Sequence, residues 1–341
     1  MYKPLVTVIT PSYNHEKYIG ECIRSVLSQT YPHWEMIVVD DASCDATVER
    51  AKEYATRDNR ITIFTHQQNH GIYKLADTYN EALLVAKGDL VAILEADDLW
   101  VQDKLEHQVP FFEDPDVVLG YGNRKIIDEA GNILRSTELH KIADKRILNN
   151  DPVGMKYYHY LFLKSLTPSE TVIVRKAALL EMGGFVGIEN CGTIDFPTFF
   201  LLAGKGKFAH TEKCLGYYRR HGKNASIGKI EEYKDAYMTL TTRYFDELKH
   251  IWQAVRIEPE TILLKQEALL RRGREKRATR RHIHRINELL SKGRWREARQ
   301  EMLSYLRVRR FDSRYPLVLI QCILSFFRGN IFKMRFRNTI H

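Results

Sequence analysis

Residues Val6–Asn14 read VTVITPSYN, an apolar β-branched run that stops at a proline and small polar residues. The run predicts a buried strand over Leu5–Thr10, and a helical pattern follows over residues 17–28, before Pro32. This alternation of strand and helix repeats through the first half of the chain. Further strands are predicted at Glu35–Asp40, Ile61–Thr65, Asp89–Leu94 and Val117–Tyr121, and further helices at 45–54, 75–86 and 101–112. The order predicts an α/β fold with a mostly parallel sheet and helices on both faces.

Polar and acidic residues follow the predicted strands where each of them ends. Pro11 and Tyr13 follow the first strand, Asp40 and Asp41 the second, and Glu95–Asp98 (EADD) the fourth. We expect the second and fourth strands to be neighbours, so that their acidic groups converge on one crevice outside the carboxyl ends of the sheet. A lone aspartate there is equally typical of a turn or a helix N-cap. Two converging acidic groups instead predict a bound divalent cation, Mg²⁺ or Mn²⁺, of the kind that bridges carboxylates and a nucleotide diphosphate.

Composition and motifs exclude several other classes of protein. The 341 residues are 44% hydrophobic, so the chain has enough apolar material for a core. No apolar run approaches the roughly 20 residues of a membrane-spanning helix, and no secretory signal is visible. The five scattered cysteines are expected to be reduced thiols of a cytoplasmic protein. The glycine-rich motifs of Rossmann and P-loop nucleotide sites are absent from the sequence.

Six segments together carry a family resemblance over roughly the first two-thirds of the chain. They are VTVITPSYN (Val6–Asn14), SVLSQTYPHWEMIVVDDASCD (Ser25–Asp45), KGDLVAILEADD (Lys87–Asp98), GGF (Gly183–Phe185), TIDF (Thr193–Phe196) and YYRRHGKNAS (Tyr217–Ser226). In this order and spacing they resemble the family 2 glycosyltransferases of GT-A fold. The resemblance implies a Rossmann-like nucleotide-diphospho-sugar transferase fold, with a mixed sheet and helices on both faces. It also implies transfer of a sugar from a nucleotide donor, usually UDP-linked, to an acceptor hydroxyl with inversion.

The resemblance also assigns roles to residues on the donor side of the expected site. Pro11 and Tyr13 would contact the nucleotide, with Tyr13 packed on the base, and Asp40 would hydrogen-bond the base. Asp97 is assigned to the ribose and Asp98 to the metal ion.

Later motifs supply the rest of the expected chemistry. Asp195 matches the catalytic base of the family, which must reach the acceptor hydroxyl as that hydroxyl becomes acidic. The competing interpretation is a helix N-cap ahead of Phe196–Ala203, and both can hold at once. His221 is either a metal or diphosphate contact or a surface histidine. Arg219 is either a fork donor to the diphosphate or ordinary surface charge.

Two departures from the family pattern stand beside these matches. Asn69-His70-Gly71 begins like the next donor-binding segment of the family, but the Ala-Arg-Asn triplet that should follow is missing. Lys74 and Asn80 are approximate stand-ins, with Lys74 assigned to the nucleotide. At the base position the frequent Glu-Asp pair is Ile194-Asp195, so that the acidic neighbour is lost.

Charge divides the chain into two regions. Residues 271–341 hold 20 Lys+Arg and 5 Asp+Glu, and the rest of the chain is mildly acidic. We expect a catalytic domain over 1–228, with a nucleotide-binding half (1–100) and an acceptor half (101–228), and a basic α-helical region over 229–341. Ile286–Leu306 predicts two amphipathic helices joined at Lys292-Gly293. The basic region is expected to pack on the catalytic domain or a second subunit, or to bind an anionic membrane surface with Phe326, Phe327 and Ile331 inserted. Nucleic-acid binding ranks last, because no nucleic-acid fold signature accompanies the charge.

These observations predict a metal-dependent inverting glycosyltransferase that works at the inner face of the membrane. Its donor is expected to be a UDP-sugar, and its acceptor a glycan or a lipid-linked glycan of the cell envelope. A sugar nucleotidyltransferase is the enzyme alternative, but the Pro11–Asn14 segment is not a glycine-rich triphosphate loop. An inactive transferase-like scaffold acting through its basic region is the other alternative, against which the intact Asp40, Asp97, Asp98 and Asp195 argue.

Overall fold

The frame of the protein is a β-sheet with helices on both sides. The computed structural model describes residues 3–141, 143–161 and 167–225, together with scattered positions from 240 to 304. The strands in these residues are β1 (Val6–Ser12), β2 (Trp34–Asp40), β3 (Ile61–Thr65), β4 (Leu90–Ile93), β5 (Leu99–Trp100), β6 (Val117–Ile127), β7 (Ile133–Thr137), β8 (Ile173–Arg175) and β9 (Lys207–Arg219). The helices are α1 (Ile19–Leu27), α2 (Thr47–Ala55), α3 (Leu75–Val85), α4 (Lys104–Gln108), α5 (Lys145–Leu148), α6 (Met155–Leu161), α7 (Lys176–Glu181) and α8 (Asp195–Leu202). The ends of β1–β4 agree with the predicted strands to within two residues.

The sheet is mixed, as the resemblance implies. Its strands follow the order β3-β2-β1-β4-β8-β6-β9-β5, and β7 pairs with β6 outside this path. Strands β3, β2, β1 and β4 are parallel to one another. Strand β8 is antiparallel to both β4 and β6, whereas β6 and β9 run parallel. The prediction of a mostly parallel sheet is therefore wrong beyond β4. The alternation of strands and helices in the sequence does not determine whether a later strand runs parallel or antiparallel to its neighbour.

One predicted neighbourhood is also corrected by the strand order. Strand β1 lies between β2 and β4, with Val6 opposite both Trp34 and Leu90. The two acidic groups at the ends of β2 and β4 are therefore separated by the end of β1, where Pro11 and Ser12 continue the ladder beside β2. Asp40–Asp41 and Glu95–Asp98 consequently lie along the same edge of the sheet, on either side of the end of β1, and not at the ends of adjacent strands.

Alternate residues of the central strands fill two separate hydrophobic cores. In β1, Val6 and Val8 pack on the face covered by α1, whereas Ile9 packs on the face covered by α3. This follows from the period of two along a strand, which sends successive side chains to opposite faces. Because both faces are covered, the parallel strands read as continuous apolar runs, and these runs made them recognisable in the sequence.

The chain divides into two compact units, residues 1–262 and residues 263–341. The described residues of the second unit are helical on both sides of a turn at 292–293, where Gly293 takes a φ of 68°. Ile286, Leu289 and Ala298 are its buried apolar side chains among those described. Phe326, Phe327, Ile331 and the predicted boundary at 228/229 lie outside the described residues. In the described part of the chain, no helix combines the length and apolar character needed to cross a bilayer.

The GGF segment forms a backbone junction between α7 and α3. Gly183 and Gly184 have φ values of 85° and 103°, which favour glycine. The side chain of Asn80 hydrogen-bonds both backbone groups of Phe185, the residue after Gly184. Phe185 N donates to Asn80 Oδ1 (2.7 Å), and Asn80 Nδ2 donates to Phe185 O (2.9 Å). Asn80, considered as a stand-in for a donor-binding residue, is thus engaged in holding this junction.

Gly184→Ala should destabilise the protein more than Gly131→Ala. Both glycines have positive φ (103° and 88°), but a Cβ on Gly184 would lie 2.3 Å from Asn80 Oδ1, whereas a Cβ on Gly131 meets no atom within 4 Å. We expect a loss of about 1 kcal/mol in unfolding free energy for Gly131→Ala, from the backbone alone. The Gly184 variant should lose about 2–4 kcal/mol, because the Asn80 bridge must also break. Guanidinium unfolding of both variants measures the difference, and equal losses would contradict the bridging role.

Candidate active site

The acidic loop, residues Glu95–Asp98, connects the carboxyl end of β4 to β5. Leu94 N donates to Ile9 O of β1 (3.1 Å), and Asp98 N donates to Glu95 O (3.0 Å), so that the loop turns sharply at the edge of the sheet. Asp97 and Asp98 are both buried. Buried carboxylates require hydrogen-bond partners or cations, and the surrounding elements provide them.

Asp97 is held by the segment that follows β9. Its Oδ2 atom lies 2.9 Å from His221 Nε2 and accepts a hydrogen bond from Asn224 Nδ2 (3.2 Å). The backbone N–H of His221 donates to Asn224 Oδ1 (2.7 Å), which fixes the two partners relative to each other. Burial raises the pKa of Asp97, but the hydrogen bond from His221 and the charges of His15 and His221 together hold the pKa below the ordinary aspartate value.

His15 completes a group of three potential metal ligands with Asp97 and His221. One ligand atom from each residue lies within 4.8 Å of the others, and the rings of His15 and His221 are 6.4 Å apart. Burial lowers the pKa of His15 below the ordinary histidine value, which favours the neutral ring, and His15 Nδ1 accepts the backbone N–H of Tyr13 at 3.5 Å. One carboxylate oxygen and two imidazole nitrogens fit a divalent cation such as Mn²⁺ better than Mg²⁺, which prefers oxygen ligands.

Asp98 has a different environment. Its Oδ1 atom accepts the backbone N–H of Arg219, the last residue of β9 (2.8 Å). Burial, followed by the charge of Asp97, raises the pKa of Asp98 well above the ordinary value. Asp98 therefore holds a proton more readily than its neighbour Asp97.

The Arg219 guanidinium is buried beneath the acidic loop. It donates to Asp97 O (3.0 Å), Glu129 O (2.9 Å) and the Glu21 carboxylate on α1 (2.5 Å), and its charge lies 5.0 Å from the ring of Tyr18. The predicted contact between Arg219 and a diphosphate stays a prediction, and these inward contacts would have to be exchanged to make it. Here the guanidinium braces the acidic loop.

Of the residues predicted to contact the nucleotide, Pro11, Tyr13 and Asp40 lie along the β1–β2 part of the edge. Asp97 lies in the acidic loop, and Lys74 lies directly before α3. Pro11 is buried in β1, and Tyr13 has 44% of its surface exposed. The Asp40 carboxylate accepts hydrogen bonds from Ser12 Oγ (2.7 Å), Ser43 Oγ (2.6 Å) and Ser43 N (2.8 Å). Lys74, in the turn before α3, is exposed and lies 3.7 Å from Asp77. Asp40 is thus held rigidly in place, and the Lys74 side chain is the least constrained of the set.

Asp195 begins α8. The N-cap is Ile194, and no side chain caps this helix, so the interpretation of Asp195 as the cap is wrong. Burial and the negative charge of Glu170 raise the pKa of Asp195 to about 6, against a hydrogen bond with Ser169 and the charge of Arg124, which lower it. Glu170 is fully buried and accepts from Arg124 Nη1 at 3.3 Å.

Glu95, the first residue of the acidic loop, interacts electrostatically with Asp195. Tyr79 OH donates to Glu95 Oε1 (3.1 Å), and among the described residues the buried Oε2 atom has no hydrogen-bond partner. Burial, the Asp195 charge and the Asp97 charge together raise the pKa of Glu95 well above the ordinary value. A carboxyl that stays protonated here reduces the repulsion among its neighbours.

Comparison of the sequence with known protein families assigns the chain to one of them. The family described as Glycosyl transferase family 2 matches residues 7–182. The chain belongs to glycosyltransferase family 2. The glycosyltransferase is 34% identical over 230 residues to TuaG of Bacillus subtilis (strain 168), whose name assigns it to teichuronic acid biosynthesis. That match covers 67% of this chain and 84% of TuaG.

Solved structures with the same fold agree with the GT-A architecture of this glycosyltransferase. Residues 1–349 of S. aureus TarS, in complex with UDP-GlcNAc, match with a TM-score of 0.54 and 22% identity, over 70% of this chain and 66% of that chain. The mannosyltransferase PcManGT of Pyrobaculum calidifontis, in complex with GDP-Man and Mn²⁺, matches with a TM-score of 0.53 and 20% identity, over 96% of this chain and 82% of that chain. At these identities the likeness establishes the fold of the glycosyltransferase.

Several residues of the glycosyltransferase site went unnoticed in the sequence. His15, Tyr79 and Arg124 are single polar residues within otherwise ordinary segments, so no local pattern distinguishes them, and Asn224 lies in the YYRRHGKNAS segment without a role assigned to it. Glu170 gave a weak signal, since an acidic residue directly before the apolar run Thr171–Val174 predicts a buried charge in need of a partner. That partner, Arg124, lies 46 positions away along the chain.

Glu170→Gln and Ser169→Ala should shift the pKa of Asp195 in opposite directions. Replacing Glu170 removes a negative charge that raises this pKa, so the value should fall below about 6. Replacing Ser169 removes a hydrogen bond that lowers it, so the value should rise. The ¹³C carboxyl signal of Asp195, assigned by its loss in Asp195→Asn, reports both shifts. Shifts of the same sign would contradict this arrangement.

Proposed function

We propose that this glycosyltransferase transfers a sugar from a UDP-sugar to an acceptor hydroxyl with inversion, and that Asp195 is the catalytic base. The observation that carries the proposal is the Asp195 carboxyl, with a pKa raised to about 6, at the start of α8 and in electrostatic contact with Glu95 of the acidic loop. A carboxylate with this pKa is mostly ionised at pH 7 and is a stronger base than an ordinary aspartate. UDP-GlcNAc bound to TarS supports a UDP-sugar donor.

We assign the donor side to the acidic loop and the β1–β2 edge. Asp97, His221 and His15 would hold the divalent cation. The cation would stabilise the negative charge that develops on the diphosphate, the leaving group, as the sugar is transferred. The sequence-based assignment gave the metal to Asp98 and the ribose to Asp97, whereas the contacts support Asp97 as the metal ligand beside His221. Mn²⁺ in the PcManGT complex supports a metal-dependent donor site. Tyr13 and Asp40 would bind the base.

The acceptor is proposed to be a glycan or lipid-linked glycan of the cell envelope, as the name of TuaG supports. The basic residues of 271–341 would bring the enzyme to an anionic membrane surface at its cytoplasmic face. The nucleotidyltransferase alternative has less support, because the site offers no basic, glycine-rich loop after β1. The intact carboxylates in the cleft argue against an inactive scaffold.

Asp195→Asn should abolish sugar transfer while leaving UDP binding intact. The amide has the same shape but cannot accept the proton, so the rate of transfer should fall by about 10²–10⁴-fold. Asp103→Asn, at an exposed carboxylate 3.6 Å from Lys213, is the matched control and should retain full activity. Calorimetric titration with UDP checks binding, and release of UDP in the presence of acceptor checks transfer. Equal loss of binding and transfer would mean that Asp195 has a structural role.

UDP should bind more tightly in the presence of Mn²⁺ than GDP or CDP does. Calorimetric titration of the three nucleotides, with and without Mn²⁺, establishes the donor class. Asp97→Asn and His221→Asn should each remove the enhancement by Mn²⁺ while leaving metal-free UDP binding unchanged. Preference for GDP or CDP would overturn the UDP assignment. Enhancement that survives in both variants would move the metal to Asp98.

A further inference from the structure

A second group of potential metal ligands lies away from the acidic loop, where β2 and β3 end. We call it the loop cluster: Asp41, His66 and His70, with Glu81 on α3 beside it. The Asp41 carboxylate is oriented by the backbone, since His70 N donates to Oδ1 (2.8 Å) and Gly71 N donates to Oδ2 (2.9 Å). Gly71 permits this approach with its φ of 78°. The loop after β3 is thus wrapped around a fixed carboxylate.

The two imidazoles of the loop cluster are stacked beside that carboxylate. Their ring centroids are 4.2 Å apart at an interplanar angle of 24°. His66 Nδ1 lies 2.8 Å from Asp41 Oδ1, and His66 Nε2 lies 2.8 Å from Glu81 Oε2. His70 Nδ1 is buried, and the described residues offer it no hydrogen-bond partner. A buried ring nitrogen without a partner indicates that a group is missing from the cluster.

We propose that Asp41, His66 and His70 bind a transition-metal ion of the Zn²⁺ class. One ligand atom from each residue lies within 4.8 Å of the others. Two imidazole nitrogens and one carboxylate oxygen form a donor set that zinc accepts, whereas Mg²⁺ requires oxygen ligands. Zinc–ligand bonds of about 2.0–2.2 Å would draw the three ligand atoms closer together than they are without the ion.

Glu81 provides the outer support that such a site needs. A histidine that binds metal through one ring nitrogen usually donates its other N–H to a carboxylate, which fixes its tautomer and orientation. Glu81 Oε2 already faces His66 Nε2, which leaves His66 Nδ1 for the metal ion. Binding displaces the proton that His66 and Asp41 share, so the affinity for zinc should rise with pH.

A metal ion in the loop cluster would tie the loop after β3 to the end of β2. Asp40, whose carboxylate holds Ser12 and Ser43, is the residue directly before Asp41. The loop cluster shares no residue with the cleft group of Asp97, His15 and His221, so each can be removed without changing the ligands of the other. The proposal stands independently of the donor and of the catalytic base.

Zinc binding to the untagged full-length chain tests the proposal. We expect one Zn²⁺ per chain to survive in His221→Asn, as measured by equilibrium dialysis and elemental analysis, and Co²⁺ to give visible absorption bands in its place. Within that background, His70→Gln should weaken zinc binding by at least about 100-fold, and Glu81→Gln by about 10–100-fold. His33→Gln, at an exposed histidine between α1 and β2, is the matched control and should bind zinc like the parent.

Two results would overturn the proposal. One is the absence of bound Zn²⁺ in His221→Asn, and the other is equal affinity with and without His70. Either result would make the loop cluster a proton-bridged contact between His66, Asp41 and Glu81. Thermal unfolding separates folding defects from metal loss: in EDTA, His70→Gln and its parent should melt together, and only the parent should gain stability when Zn²⁺ is added. If His70→Gln unfolds at a lower temperature than its parent in EDTA, the Co²⁺ spectrum is measured on the folded variant at low temperature. Loss of the Co²⁺ absorption bands then supports the proposal, and their retention contradicts it.

Discussion

Carboxylates buried at one edge of the sheet impose the constraint on which the rest of the structure depends. The charge of Glu170 raises the pKa of three neighbouring carboxyls, those of Glu95, Asp98 and Asp195. Left uncompensated, this repulsion would oppose folding. Three features reduce this repulsion: the backbone N–H that Arg219 donates to Asp98, the partly buried Arg124 guanidinium beside Glu170, and the raised pKa values of Glu95 and Asp98, which favour their protonated forms.

The order of the strands positions one of these compensating arrangements. The short strand β8 is inserted between β4 and β6, which brings the turn Ser169–Thr171 under the acidic loop. Trp100 Nε1 donates to Glu170 O (2.7 Å), and Gln108 Nε2 donates to Thr171 O (2.9 Å), so the turn is fixed from the side of β5 and α4. The Asp195 environment and the acidic loop therefore share one rigid support, although they lie about 100 positions apart in the chain.

The sequence predicted the parts of the structure whose signals are local. Strands β1–β4 are apolar on both faces, and their runs are bounded by polar residues, so their positions could be found. The predicted helix over 101–112 is broken, because Pro110 lacks an N–H and the chain continues as a 3-10 turn over Val109–Glu113. Strand β8 has only three residues, too few to show a periodic pattern. The carboxylates of the site were visible as strand-end residues, whereas Arg124 and His15 depend on contacts formed only in three dimensions.

Arg219 joins α1, the acidic loop and the turn between β6 and β7, and it is separated from Glu21 by 198 positions. During synthesis residues 1–218 are joined before this side chain exists. Until then the acidic loop lacks the buried guanidinium of Arg219 and the backbone N–H that Asp98 accepts, so this edge of the sheet remains open to water. The acidic loop is consequently completed only when β9 joins the sheet, and in a chain that ends before residue 219 this loop lacks its Arg219 contacts however well the first strands have folded.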